Sequence, residues 1–280
     1  MTDPADFIVA RPDGTRLRGW RWEASRSVET RSTVLLVHGL GEHGLRYAPL
    51  VEALTTSGHP VVAYDQRGHG ESDGKRGVLD DVRTVVDDLA AVRAAPEAAL
   101  PDRPVLYGHS FGGLVAVRAL QRGVGPWRGA VLSAPWLATV FPVPLWKRAF
   151  RPLLGFVAPR LTVAAGLRGE HLSRDPERVA DRDRDPRIHD RISSGLSNAV
   201  ERAQAAALAE GLPTNLPALL LAPGDDPVTD VPVAQEWARR AGGGVTVVDL
   251  PGYRHEPHND RGREAVFARV SEWLASLSGD

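Results

Sequence analysis

The chain has 280 residues, 42% of them hydrophobic, with a formal net charge of -1 and no cysteine. This is enough apolar material for one large core, and the balanced charge excludes the basic excess or stripe that a nucleic-acid partner requires. Without cysteine there are no disulfides, no thiol catalysis and no Cys-ligated metal, and neither a leader from Met1 to Asp13 nor a bilayer-length apolar run is present, so a cytoplasmic protein is expected.

In chain order, Phe7 to Ala10 and Leu17 to Trp22 flank Asp13-Gly14, which reads as a hairpin of two exposed-edge strands. Short, almost continuously apolar runs follow at 34–37, 61–64, 105–107, 130–132, 218–221 and 245–250, the pattern of strands buried on both faces. Helical patterns separate them at Tyr47 to Thr56, Asp81 to Ala95, Gly113 to Arg122, Pro232 to Arg240 and Arg261 to Leu277. Such alternation predicts a mostly parallel sheet with helices on both faces and chemistry on the loops beyond the strands' carboxyl ends.

From Trp136 to about Pro213 the alternation stops. No strand signal is present there, and aromatic residues mix with prolines and helix-compatible stretches, so residues 136–213 read as a helical cap inserted into a core formed by 1–135 and 214–280. The stretch from Arg174 to Arg191 alternates Arg and Asp and reads as a solvated surface laced with weak ion pairs.

Gly108-His109-Ser110-Phe111-Gly112 stands between a strand and a helix, the context that gives a G-x-S-x-G pattern its meaning: a strained turn presenting a serine hydroxyl. A serine needs a base, normally an imidazole held by a carboxylate, and in this architecture both follow the serine in the chain. Of nine histidines, five lie at or before position 109, and His171 and His189 fall in the presumed cap. That leaves His255, nearer the last strand, and His258, expected to be an exposed loop residue. For the acid, Asp225 and Asp226 follow a buried strand and remain even candidates, whereas Asp230 reads as the N-cap of the next helix. The oxyanion requires two donors, expected from the backbone N–H groups of Phe111 and Leu40. The loop at His38-Gly39-Leu40-Gly41 carries neither dinucleotide nor P-loop spacing, which argues against a phosphate cradle.

These residues resemble the monoacylglycerol lipase and lysophospholipase branch of the α/β-hydrolases, grouped with serine aminopeptidase-like enzymes. The segments that carry the likeness are His38 to Tyr47, Asp65 to Gly74, Gly108 to Gly113, Leu172 to Pro176 and His255 to Asp260. The resemblance implies an α/β-hydrolase fold with an eight-stranded sheet, and a Ser110, Asp226 and His255 triad that hydrolyses acyl esters without cofactor or metal. Where the family usually has glycine three residues before the acid, this chain has Pro223, and Arg187 replaces a usual apolar residue after Asp185-Pro186. The resemblance also implies a lipid or acyl-ester substrate received by an apolar cap, with Trp136, Phe141, Trp146 and Phe150 as candidate lining and a transient contact of the cap with a membrane surface. Other uses of the same triad are a short-chain carboxylesterase, lysophospholipase, thioesterase or aminopeptidase, and outside enzymes a binding protein for an acyl ligand.

Overall fold

The structure, a computed structural model, describes residues 3–140, 158–213, 216–242 and 244–277. The long runs of apolar residues become β3 (Val34–Val37), β4 (Val61–Tyr64), β5 (Val105–His109), β6 (Gly129–Ser133) and β9 (Ala218–Pro223), and the hairpin becomes β1 (Ala5–Ala10) and β2 (Arg16–Trp22). With β10 (Val245–Leu250) they form an eight-stranded sheet ordered β1-β2-β4-β3-β5-β6-β9-β10. β1, β2 and β4 pair antiparallel, and every pairing from β4 to β10 is parallel. Only β1 of the hairpin is an edge strand, because β2 also pairs with β4; its Trp20 and Trp22 are buried for that reason.

Alternation along the strands divides the core in two. Leu35, Val37, Val62, Tyr64, Leu106, Leu132 and Leu220 face one layer, while Val34, Leu36, Val61, Ala63, Tyr107, Val131 and Leu221 face the other. α2 (Val82–Ala94) and α3 (Phe111–Gln121) cover the first face, and α1 (Ala48–Thr56) and α8 (Arg263–Ser276) contribute to the second. α7 (Val231–Arg240) starts where Asp230 accepts a hydrogen bond from the Val233 N–H at 3.2 Å, an N-cap. α3 begins at Phe111, two residues before the periodicity suggests, because the helix starts directly at the turn that holds Ser110.

Between β6 and β9, which are neighbours in the sheet, the chain forms β7 (Thr162–Ala164), α4 (Gly169–Leu172), α5 (Pro176–Arg184), β8 (Arg191–Ser193) and α6 (Ser194–Ala209). The expected absence of strands is corrected here: β7 and β8 pair antiparallel through Thr162 with Ser193 and Ala164 with Arg191. Two three-residue strands almost thirty residues apart are too short for a period of two to register. Phe141, Trp146 and Phe150 lie outside the described residues.

The insertion is bonded to the core. The His189 N–H donates to the Gly41 carbonyl (2.9 Å), the Ser193 N–H to the Gly77 carbonyl (2.8 Å) and the Glu256 N–H to the Leu172 carbonyl (2.8 Å). Arg174 reaches the fully buried Asp260 with its backbone N–H at 2.7 Å and its guanidinium at 3.0 Å. The Arg and Asp stretch is therefore only partly a solvated surface: α5 buries no residue outright, but Arg174 and Asp185 clamp the insertion to the core. Asp185 accepts from the buried His43 Nε2 at 2.9 Å, from the Arg187 N–H and twice from the Arg187 guanidinium, so the arginine that replaces an apolar residue is tied to the carboxylate beside it.

Trp237 on α7 is buried, and its indole N–H donates to the Ala207 carbonyl (2.9 Å) and the Glu210 carbonyl (3.1 Å), tying α7 to the end of α6 away from the sheet's loop end. Trp237→Ala is expected to cost about 3–5 kcal/mol. Urea unfolding checks this through a lower midpoint at unchanged slope.

Candidate active site

The loops after β3, β5, β9 and β10 meet at the carboxyl end of the sheet, where parallel topology leaves a crevice. Ser110 sits between β5 and α3 with φ +51° and ψ −115°, a region costly for a side chain other than glycine. The turn is tight on both sides. A Cβ on Gly108 would lie 2.5 Å from the Gly112 carbonyl oxygen, and one on Gly112 would lie 2.2 Å from that of Val37. Backbone bonds pin the turn: the Ser110 N–H donates to Ser133 and the Ser110 carbonyl accepts from Trp136 and Leu114.

The Ser110 Oγ lies 2.9 Å from His255 Nε2, and His255 Nδ1 lies 2.8 Å from Asp226 Oδ2. Asp226 also accepts from the N–H groups of Val228 (2.7 Å) and Thr229 (3.1 Å) and from the Thr229 hydroxyl (2.6 Å). Burial raises the Asp226 carboxyl, but the His255 imidazole and these donors outweigh it and hold it below the usual carboxylate range. An ionised Asp226 can only accept, so His255 Nδ1 donates and Nε2 is left to accept the serine proton. Burial pulls the His255 pKa down, but Asp226, and less strongly Glu256 and Glu42, carry it above its ordinary 6.5.

Asp225, the other even candidate, is exposed beside this array, and its N–H donates to the Tyr253 carbonyl at 3.0 Å. His258 corrects the expectation of an exposed loop residue. It is buried, stacked on Tyr47 with ring centroids 4.3 Å apart and edge-on to His109 at 4.7 Å. The loop after β10 folds inward, held by Asp260, which is fully buried and accepts from the N–H of Arg254 at 2.8 Å. Burial keeps His258 and His109 neutral, with His258 pushed down to about 3.

Leu40 lines the same cavity as Ser110, and Phe111 is the first residue of α3, where helix geometry leaves the N–H without an intrahelical acceptor. The loop bearing Leu40 is held by groups to which sequence reasoning assigned no role. Glu42 Oε1 accepts from the Gly39 N–H at 2.6 Å and from the Tyr47 hydroxyl at 2.7 Å. His38 donates to the Gly39 carbonyl through Nδ1 and accepts the Gln66 N–H through Nε2 (2.8 and 2.9 Å). Arg46, itself buried, lies 2.6 Å from Glu256 and 3.5 Å from Glu42. Burial and the neighbouring Glu256 raise the Glu42 pKa; burial also works against the charge on Glu256, but Arg46, His258 and Asn259 outweigh it, so Glu256 is the ionised partner. The signal for this group was Glu42 and Arg46 at i, i+4 inside one loop and helix turn.

A cavity of about 1000 Å³ opens above Ser110. Its lining includes residues of α6, Trp136, Leu137 and Val228, and residues 164–167 and α4, the last bonded to the His255 loop through the Leu172 carbonyl. Trp136 is the one cap candidate within the described residues and lines this cavity, its indole N–H on the Thr139 hydroxyl at 2.8 Å. Among the described residues no group of three or more His, Asp or Glu is arranged to hold a metal ion, and no helix is long and apolar enough to cross a membrane.

The family model described as Hydrolase_4, serine aminopeptidase, S33, matches residues 28–262. The monoacylglycerol lipase of Mycolicibacterium smegmatis is 32% identical over 258 residues, 89% of this chain and 89% of that protein. An uncharacterized abhydrolase domain-containing protein of Dictyostelium discoideum is 28% identical over 273 residues, and this chain spans only 28% of its length. The crystal structure of a Paleococcus ferrophilus monoacylglycerol lipase superposes with a TM-score of 0.82 at 32% identity, covering 93% of this chain and 99% of that one.

A protonated His255 cannot accept the serine proton, so the reactivity of Ser110 is expected to fall as pH drops through a value above 6.5. Glu256→Gln removes one of the charges that raise His255 and moves that midpoint to lower pH. The rate of Ser110 modification by a fluorophosphonate, followed from pH 5 to 9, measures both; an unmoved midpoint in the variant contradicts the electrostatic assignment.

Proposed function

This chain belongs to the serine aminopeptidase family of α/β-hydrolases and is an ester hydrolase, and on that premise we propose that it cleaves fatty-acyl esters of small polar alcohols, monoacylglycerols above all. The observation that carries the reading is the unbroken hydrogen-bonded line Ser110, His255, Asp226 at the floor of a cavity large enough for an acyl chain.

In the proposed mechanism the Ser110 Oγ attacks the ester carbonyl while His255 Nε2 takes its proton. The carbonyl oxygen gains negative charge and meets the N–H groups of Phe111 and Leu40, each such donor being worth about 3–4 kcal/mol in comparable sites. His255 then passes the proton to the alcohol oxygen, the C–O bond breaks, and the acyl group remains on Ser110. Water, deprotonated by the same imidazole, attacks the acyl-enzyme, the bond from the acyl carbon to Ser110 Oγ breaks, and His255 returns the proton to Oγ as the fatty acid leaves. Asp226 keeps its charge throughout and holds the tautomer with a free Nε2. The strained backbone at Ser110 holds the hydroxyl facing the position the ester carbon must occupy, which supplies part of the barrier reduction as pre-arranged geometry.

Residues 136–213 act in this reading as a cap over a core of 1–135 and 214–280. The apolar face of α6 (Val200, Ala205, Leu208) together with Trp136 and Leu137 suits a hydrocarbon chain. The substrate is a small-molecule acyl ester, and the protein needs no cofactor for these steps.

Ser110→Ala is expected to lower kcat on monoacylglycerol by on the order of 10⁶, and Asp226→Asn by about 10⁴ through loss of the correct tautomer. Assays on p-nitrophenyl esters, monoacylglycerols and aminoacyl amides check the class of substrate. More than a few per cent of activity left in pure Ser110→Ala protein, or a preference for the amides, would overturn the reading.

A further inference from the structure

We propose that Thr229 is a positioning residue for the reaction: its hydroxyl shares the Asp226 oxygen on which His255 is held, and thereby limits how strongly that carboxylate draws the imidazole proton. The inference rests on the Ser110, His255 and Asp226 reading above. Asp226 Oδ2 takes two donors, His255 Nδ1 at 2.8 Å and the Thr229 hydroxyl at 2.6 Å, while Oδ1 takes the N–H groups of Val228 and Thr229 at 2.7 and 3.1 Å. The Asp226 side chain has no exposure and Thr229 is buried with it. In a site closed to bulk solvent, each donor to the carboxylate counts for more than it would at the surface.

The hydroxyl is aimed by the backbone on both sides of it. Thr229 lies opposite Thr139 in an antiparallel bridge, flanked by bonds from the Val140 N–H to the Val228 carbonyl (3.2 Å) and from the Asp230 N–H to the Ala138 carbonyl (3.0 Å). Beyond the bridge, Asp230 caps α7 through the Val233 N–H. The acid loop is thus fastened to the chain leaving β6 and to a helix, and a branched side chain with few rotamers keeps Oγ1 on Asp226. Those backbone bonds need no particular side chain at position 229, so what the hydroxyl adds is its effect on the carboxylate.

Two donors on one oxygen compete for its charge. His255 is faced by Asp226 from the loop after β9, by Glu256 and His258 from its own loop, by Glu42 from the loop after β3, and by His109 at the end of β5 with ring centroids 5.0 Å apart. Arg46 pairs with both glutamates. Of these groups it is Asp226 that accepts the Thr229 hydroxyl. Removing the hydroxyl leaves a carboxylate with one donor fewer, which is more basic, steadies the imidazolium and moves protonation of His255 to higher pH. A merely loosened Asp226 would pull less on Nδ1 and move it to lower pH, so the direction separates tuning from scaffolding.

The test follows kcat/KM on a p-nitrophenyl ester from pH 5 to 9 in the wild-type chain, Thr229→Val, Thr229→Ala and Thr229→Ser, with circular dichroism to confirm folding. The midpoint of the acid limb is expected to rise by about 0.5 to 1 pH unit in the valine and alanine variants, a fraction of what a hydrogen bond to a charged group is worth, and to return to the wild-type position in Thr229→Ser. Valine keeps the shape of threonine and alanine removes the branch, so one folded variant of the two suffices. A midpoint that stays put or falls without the hydroxyl rejects the assignment, as does a serine variant that behaves like valine. Turnover that survives Ser110→Ala rejects the underlying reading and this inference with it, an outcome distinct from a Ser110-dependent activity whose midpoint ignores residue 229.

Discussion

One residue held in a conformation it would not choose organises the site. Ser110 at φ +51° carries a backbone cost of about 1–3 kcal/mol, and it stays there because β5 and α3 are both locked by the sheet and its first layer. The approach is so close that Gly112 lies against the carbonyls of Val37 and His38, leaving no room for a methyl group. That contact joins the Ser110 turn to the strand whose following loop carries Leu40. Displacing α3 would move the hydroxyl and the Leu40 loop together.

Around this turn, burial and neighbouring charges set the protonation of several side chains. Asp226 is kept ionised by His255 and Thr229, which fixes the imidazole tautomer, while His38, His109 and His258 are kept neutral by burial. His255 is carried above its ordinary value chiefly by Asp226, whereas at His43 burial outweighs the Asp185 carboxylate and the pKa falls. The lone arginine in the buried group by the oxyanion loop, Arg46, serves Glu256 and Glu42 at once and thereby couples the loop after β10 to the loop after β3.

The segment between β6 and β9 lines much of the cavity above Ser110. It is fastened to the core by backbone hydrogen bonds at Gly41, Gly77 and Glu256, and by the buried Asp260, which position its part of the cavity lining relative to Ser110. Side chains on those walls can vary freely while the triad geometry stays fixed, which is how one fold serves many ester substrates. The ion pair of Arg187 with Asp185 illustrates the point: it joins the fastening at His43 instead of entering the cavity.

The primary structure by itself determined the parallel sheet, because strands buried on both faces must be apolar at every position, and Val34 to Val37 or Leu219 to Leu221 can be read no other way. It also determined the turn at Ser110, since glycine two residues to each side is a steric requirement of local backbone. Chain folding in three dimensions decided what depends on groups distant along the chain. Asp225 and Asp226 are adjacent and chemically identical, and only the approach of the β10 loop brings His255 to one of them. His258 looked like surface until that loop turned inward onto Tyr47, and the pairing of β7 with β8 needed partners almost thirty residues apart. Arg174 sits in a run of alternating charges that reads as solvent-exposed; it is bonded to Asp260, a contact between residues 86 apart that no local pattern records.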